Sequence, residues 1–258
     1  MTEPRFARLQ QSLTQGFKLE PKAIFQEAWQ RIYGAKLPML MAVIGVVGCW
    51  LLLNQLLLTA MGDEQENSWS GSLLGLLISM VMAPMSGGLD MIGVHRAGNL
   101  AIRSSQIFDY FRHLLPLAVA SLIMGLLTSL FLPLGASLGL SPALAMLPTL
   151  VLSVALMFTF PLMLEKGLSP LQAIGTSIRL FLRQWLNMLM IHALLVLLFM
   201  VAVASFGIGL VWVVPFYIVV KGIIYRQACG IGGAVLPEAE HQQGADVQSY
   251  SSKDHFEA

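Results

Sequence analysis

Two ionisable side chains lie within apolar stretches of the sequence, each at the same distance from a proline. Asp90 follows Pro84 by six residues, and Lys221 follows Pro215 by six residues. Ionisable groups inside a membrane usually face the interior of a helix bundle and pair with a partner there. We therefore predict an intramembrane ion pair between Asp90 and Lys221. The alternative is that each side chain extends separately to the lipid headgroups.

Motifs of soluble enzymes lack their usual context in this chain. The segment GASLG, residues 135–139, matches the G-x-S-x-G pattern that places a serine nucleophile on a strand-to-helix turn in hydrolases. Ser137 instead falls at the end of an apolar segment, and no histidine is expected near it. The segment GIGGAV, residues 230–235, lacks the strand and the downstream acid of a dinucleotide site. We predict no catalytic residues and a protein that is not an enzyme.

The cysteines and basic residues do not indicate a metal, cofactor or nucleic-acid site. Cys49 lies inside an apolar stretch and Cys229 beside basic residues, so neither a disulfide nor a metal cluster is expected. Polar residues within the apolar stretches, such as Asn54 and His192, are interpreted as hydrogen-bond partners between helices. Nucleic acid is not an expected partner, because the basic residues do not form one cluster.

The composition is that of a membrane protein. Of the 258 residues, 56% are hydrophobic and 11% are charged, against about 45–50% and about 25% in soluble domains. Six apolar segments are long enough to cross roughly 30 Å of hydrocarbon as helices. These segments comprise residues 37–60, 71–94, 114–134, 141–164, 186–206 and 208–227. We predict an all-α, polytopic fold with six transmembrane helices.

Three regions are expected along the chain. Residues 1–20 form a cytoplasmic N-terminal segment, and residues 21–235 form the six-helix membrane domain. Residues 236–258 are polar and have few apolar side chains, so we predict a disordered cytoplasmic tail.

The distribution of the fifteen Lys and Arg residues predicts the orientation. They occur in four places: before the first apolar segment, between the second and third segments, between the fourth and fifth segments, and at or after the end of the sixth segment. The opposite connections contain neither residue type. By the positive-inside rule, both termini are cytoplasmic.

The predicted topology repeats three times. Each hairpin of two transmembrane helices follows a short amphipathic cytoplasmic segment, here called an elbow helix. The first elbow helix is PKAIFQEAWQRIYG; in the second, SSQIFDYFRHLL, Ser105 is the expected N-cap; in the third, SPLQAIGTSIRLFLRQW, Ser169 caps a helix that begins at Pro170. The aromatic residues expected to anchor these helices at the membrane surface are Phe25, Trp29, Phe108, Phe111 and Trp185. The elbow helices serve either as anchors alone or as a platform for lipid headgroups or a partner.

Each returning transmembrane helix carries a proline, which removes a backbone hydrogen bond and bends the helix. These residues are Pro84, Pro161 and Pro215. Two interpretations are open: an ordinary kink that fits neighbouring helices together, or a hinge in a transport path.

A stripe of small residues runs along the second apolar segment at intervals of four. Its members are Gly71, Gly75, Ser79, Ala83 and Gly87. Small residues allow close helix packing in lipid, where no hydrophobic effect drives helices together. We predict that another helix packs in this groove.

The segments IFQEAWQRI, APMSGGLDMIGVHRAGN, GLSPLQAIGTSIRLFLRQWLNMLMIHALL and GIGLVWVVPFYIVVKGIIYRQACG resemble a group of bacterial inner-membrane proteins. That group is similar to the membrane domain of some glycerophosphodiester phosphodiesterases. The resemblance covers roughly residues 20–232 and implies six helices in the bacterial inner membrane. It does not imply phosphodiesterase activity, because no phosphodiesterase domain is found in this chain, and it assigns no functional residue.

Two functions are consistent with these features. The first is a non-enzymatic scaffold, embedded in the lipid bilayer, that interacts with another membrane protein or with a second copy of itself. The alternative is a transporter or lipid-handling protein whose path is lined by the proline-kinked helices. An internal polar cavity would favour the alternative.

Overall fold

The computed structural model describes residues 4–61 and 69–232, and all of the regular structure in these ranges is helical. The predicted tail, residues 236–258, lies outside the described residues. Six helices are long and apolar enough to cross a membrane, which confirms the expected number and indicates a multi-pass membrane protein. They comprise Lys36–Leu56, Gly75–Ala97, Ser104–Ser137, Pro142–Lys166, Trp185–Ala204 and Leu210–Cys229.

The N-terminal part contains four helices. They are α1 (Pro4–Gln15), α2 (Pro21–Ile32), α3 (Lys36–Met61) and α4 (Trp69–Ala97). Helix α2 corresponds to the first predicted elbow helix. It buries Ile24, Ala28 and Ile32, which lie four residues apart and therefore on one face. Gly34 has φ of +77°, a conformation that favours glycine, and it separates α2 from α3.

The second predicted elbow helix has a different form from the one expected. Residues Ser104–His113 form a 3₁₀ helix that continues directly into α5, and Arg103 takes the N-cap position predicted for Ser105. A 3₁₀ helix has three residues per turn. Ile107 and Tyr110 are consequently aligned and buried, while the neighbouring Phe108 is 56% exposed.

Four α-helices follow in the middle of the chain. They are α5 (Leu114–Ser129), α6 (Phe131–Ser137), α7 (Pro142–Ala155) and α8 (Thr159–Lys166). The break between α7 and α8 lies just before Pro161, which has no N–H to continue the preceding turn. Helix α7 contains a further proline, Pro148. In contrast, Pro84 and Pro215 lie within unbroken helices.

Three helices complete the described chain. They are α9 (Pro170–Arg183), α10 (Trp185–Ala204) and α11 (Leu210–Cys229). Ser169 takes the N-cap position of α9 and Pro170 begins the helix, as predicted, and the backbone N–H of Ser169 donates to Oε1 of Gln172 at 3.3 Å.

Helices α4 and α11 form the centre of the bundle. In the apolar stretches of both, 56% of the residues are buried, compared with 11% in α3 and 22% in α10. Helix α4 also packs against α5 and the 3₁₀ helix, and α11 also packs against α2. The contact between α4 and α11 therefore positions the residues described next.

Candidate functional site

Helices α4 and α11 cross with their backbones in contact at two glycines. A Cβ atom added to Gly222 would collide with the carbonyl group of Gly93, and one added to Gly93 would collide with the carbonyl oxygen of Ile218. Only glycine permits so close an approach. The sequence analysis missed this pair, because it considered only the small-residue stripe that ends at Gly87.

The crossing brings the two predicted ionisable residues together. Asp90 lies one turn before Gly93, and Lys221 directly precedes Gly222. Nζ of Lys221 is 2.6 Å from Oδ1 of Asp90, and the two side chains are 16% and 14% exposed. Neither side chain makes another hydrogen bond to residues 4–61 or 69–232. The ammonium therefore keeps N–H donors, and the carboxylate keeps acceptor capacity, for a ligand.

A partly open cavity of about 560 Å³ adjoins the ion pair. It lies among α3, α4, α5, α7, α8 and α11, and both Asp90 and Lys221 line it. Its volume is within the range of about 300–1,000 Å³ that is typical of small-molecule sites. Apolar side chains form much of the remaining wall, for example Ile78, Met82 and Phe160.

Hydroxyl groups supply further polar atoms to the cavity wall. They belong to Ser79, Ser86, Ser121, Thr128 and Ser153. Four of these groups donate their hydrogen to a backbone carbonyl; the Ser121 hydroxyl, for example, donates to the carbonyl oxygen of Ser79 at 3.1 Å. A hydroxyl that donates locally can still accept. The cavity thus presents an ammonium, a carboxylate and several acceptor oxygens.

The predicted small-residue groove is only partly filled by a helix. Gly87 packs against Leu164, whose Cδ1 would be 3.0 Å from an added Cβ. Gly75, Ser79 and Ala83 instead line the cavity, and no atom lies within 4 Å of a Cβ added at Gly75. The surroundings of Gly71 lie outside what the structure describes. Gly87 therefore packs against another helix, Ser79 both contacts α5 and lines the cavity, and Gly75 faces open space.

The predicted surface anchors have mixed surroundings. Phe25 packs on Phe216 with ring centroids 5.4 Å apart, and Trp29, 48% exposed, stacks on Trp212 at 5.9 Å. Both rings thereby attach α2 to α11. Phe108, Phe111 and Trp185 are 56%, 38% and 49% exposed, respectively.

A charged network joins α2 to the ends of α4 and α11. Glu27 accepts hydrogen bonds from Arg31 at 2.6 Å and from Arg226 at 2.7 Å. Arg226 also donates to the carbonyl oxygen of Ala97, and Arg96 donates to that of Arg31, each at 2.6 Å. These bonds satisfy carbonyl groups near helix ends, which lack intrahelical partners.

A second ion pair is buried where α8 ends. Glu165 and Lys166 are 3% and 2% exposed, and Nζ of Lys166 is 3.1 Å from Oε1 of Glu165. The Tyr225 hydroxyl and the backbone N–H of Gly232 also donate to Glu165. The sequence analysis placed Lys166 in a cytoplasmic connection. Glu165 directly precedes Lys166 at the end of an apolar segment, and two adjacent opposite charges in that position indicate a buried ion pair.

The described residues do not gather into a metal site, since no three His, Cys, Asp or Glu side chains among them are placed to hold an ion. Cys49 and Cys229 are both free thiols. The Ser137 hydroxyl donates to the carbonyl oxygen of Leu134 at 2.7 Å and does not line the cavity.

Comparisons of the chain with protein-family models, curated proteins and solved structures found no match. The resemblance to bacterial inner-membrane proteins therefore stays a prediction.

Proposed function

We propose that this chain is a non-enzymatic, lipid-handling protein of the bacterial inner membrane that binds the polar part of an amphipathic molecule in the cavity beside Asp90 and Lys221. The cavity carries this proposal. It combines an ion pair with apolar walls inside a bundle of apolar helices. Ionisable residues in such surroundings generally mark functional sites.

The chemistry of the cavity favours a zwitterionic headgroup. Lys221 can donate to a phosphate, and Asp90 can accept from an ammonium group. A ligand with one net charge would be attracted by one of these side chains and repelled by the other. Phosphatidylethanolamine carries both groups and apolar chains, so it matches the ion pair and the apolar walls together.

The proposed arrangement in the membrane has three hairpins, each preceded by an elbow helix on the cytoplasmic side. Helices α3 and α4, α5 to α8, and α10 and α11 would form the hairpins. Helix α2, the 3₁₀ helix and α9 precede them in the chain, and no Lys or Arg occurs in residues 62–68, 130–141 or 205–209, which connect the helices within each hairpin. This orientation puts both termini in the cytoplasm and the ion pair near the inner end of the cavity.

Cavity-filling substitutions test the lipid-binding proposal. Gly75→Leu places a larger side chain at the cavity wall, whereas Gly48→Leu changes a helical glycine that also has no atom within 4 Å of an added Cβ and does not line the cavity. Native mass spectrometry of the protein released from mild detergent would count retained phosphatidylethanolamine. We expect Gly75→Leu to lose the lipid and Gly48→Leu to keep it. Equal retention by the two variants would contradict the proposal.

A scaffold role is the second candidate, because a groove of about 400 Å³ lies between α10 and α11. Apolar side chains in its wall, Leu198, Val201 and Trp212, are 38%, 61% and 42% exposed and would pack against another transmembrane helix. A second copy of this chain is the simplest occupant. Val201→Trp, which places a larger side chain in the groove, would then reduce dimers observed by native mass spectrometry, while a purely monomeric population of the wild-type protein would contradict this role.

A further inference from the structure

Helix α9 carries two exposed arginines beside a cleft. Arg179 and Arg183 are both exposed, and neither makes a hydrogen bond or an ion pair to residues 4–61 or 69–232. They are four residues apart, so their Cβ atoms lie about 5–6 Å apart on one face of the helix. Two like charges at this spacing destabilise a helix unless an anion compensates them.

Other arginines of the bundle are used differently. Three arginines lie near the ends of α2, α4 and α11 and donate to acceptors within the protein; they are Arg31, Arg96 and Arg226. Within the described part of the chain, the guanidinium groups of Arg179 and Arg183 donate no hydrogen bond, so their N–H groups are available to a ligand. Two neighbouring guanidinium groups match the geometry of a phosphate, which each can bind with two N–H groups.

Apolar residues adjoin the two arginines. Leu182 is 63% exposed and Trp185, at the start of α10, is 49% exposed. A cleft of about 470 Å³ between α1 and α9 is lined by Leu13, Leu182 and both arginines. This combination suits a ligand with an anionic headgroup and an apolar chain better than it suits a free anion.

We propose that Arg179 and Arg183 bind the phosphate of an anionic phospholipid, whose acyl chain lies along Leu182 and Trp185. The site stands on α9, apart from the cavity that contains Asp90. It selects negative charge, whereas the cavity matches a zwitterion. The third elbow helix thereby recognises the lipid composition of the leaflet in which it lies.

Competition between two lipids tests this site on the full chain. Delipidated protein would receive equal amounts of phosphatidylglycerol and phosphatidylcholine, and native mass spectrometry would give the ratio of the two bound lipids. We expect wild-type protein to prefer phosphatidylglycerol. Each basic residue near a membrane surface strengthens the attraction of anionic lipid. One Arg→Gln change should therefore lower the ratio of bound phosphatidylglycerol to phosphatidylcholine about fivefold, and the double variant Arg179→Gln/Arg183→Gln should lower it about 30-fold.

A matched control uses Arg103, which is exposed and also lacks a side-chain partner among the described residues but does not line the cleft between α1 and α9. Arg103→Gln should retain the wild-type preference. Equal losses from Arg103→Gln and the double variant would overturn the site, as would an unchanged preference in the double variant. Thermal unfolding of each variant would verify its fold, and no loss of stability is expected, because the replaced side chains have no described protein partner.

Two further experiments distinguish a bound lipid from a free anion and from the C-terminal tail. Inorganic phosphate that displaces phosphatidylglycerol at equal concentration would show a site for free anions and overturn the lipid assignment. Neutralising the tail acids Glu238 and Glu240 should leave the lipid preference unchanged. A severalfold increase would show that the tail occupies the arginines and would also overturn it. Gly75→Leu should keep the phosphatidylglycerol preference, which separates this site from the cavity.

Discussion

Gly93 and Gly222 meet backbone to backbone where α4 crosses α11, and an added Cβ on either residue would overlap a carbonyl group. The same crossing holds Asp90 within 2.6 Å of Lys221. Close packing and charge pairing at the bundle centre therefore depend on each other. A change that separates the two helices also lengthens the ion pair.

Gly222→Ala should destabilise the protein strongly. The methyl group collides with backbone atoms of Gly93, which cannot rotate away as a side chain can. We expect a loss of about 2–3 kcal/mol in the free energy of unfolding, near the upper end for overpacked cores. Denaturant-induced unfolding in mixed micelles would measure it. Gly75→Ala is the control, since its methyl group meets no atom within 4 Å; a comparable loss in both variants would refute the tight crossing.

Breaking the central ion pair should cost stability, and reversing it should restore part of that loss. Asp90→Asn leaves the Lys221 ammonium without its counter-charge in largely buried surroundings. We expect each single charge removal to cost about 2–3 kcal/mol, slightly below the values for fully buried pairs. The double variant Asp90→Lys/Lys221→Asp should be more stable than either single reversal. Additive losses in this double-mutant cycle would show that the two charges do not interact.

Ser177 should stabilise the break between α7 and α8. Its hydroxyl is fully buried, donates to the carbonyl oxygen of Ala155 at 2.6 Å and accepts from the N–H of Phe158 at 3.2 Å. Ser177→Ala leaves both backbone groups unsatisfied and should lower the free energy of unfolding by about 1–3 kcal/mol. Ser137→Ala removes an exposed hydroxyl that bonds only within its own turn. That variant should unfold like the wild type, and the assignment fails if the two serine variants behave alike.

Accessibility of introduced cysteines would test the proposed orientation. Phe206 is 98% exposed in the connection between α10 and α11, and Arg103 is exposed at the opposite end of the topology. In a chain with Cys49 and Cys229 replaced by alanine, a membrane-impermeant maleimide should label Phe206→Cys in intact spheroplasts. It should label Arg103→Cys only after lysis. Labelling of Arg103→Cys in intact spheroplasts would reverse or reject the topology.

The six long helices could be predicted from the sequence, because the length of an apolar segment and the thickness of hydrocarbon suffice for that inference. The proximity of Asp90 and Lys221 was also predictable, since isolated charges in apolar segments have few other partners. Both inferences use properties of single segments or rare residue types. Neither requires knowledge of how helices rotate about their axes.

The cavity and the glycine crossing could not be predicted in the same way. A lone glycine such as Gly222 does not reveal which helix approaches it, and a cavity is defined by side chains from six helices at once. The stripe that contains Gly75 suggested close packing, but no atom lies within 4 Å of a Cβ added at Gly75. For the segment after Arg103, the apolar pattern did not distinguish a 3₁₀ helix from an α-helix, because both place residues three apart on similar faces.

The buried pair of Glu165 and Lys166 also holds the segment that directly follows α11. Glu165 accepts from the N–H of Gly232 at 3.1 Å, and Lys166 donates to the carbonyl oxygen of Gly230 at 3.3 Å. A spectroscopic probe attached between Gly230 and Gly232 would follow movements of α8 relative to α11, and so would register rearrangement of the bundle directly.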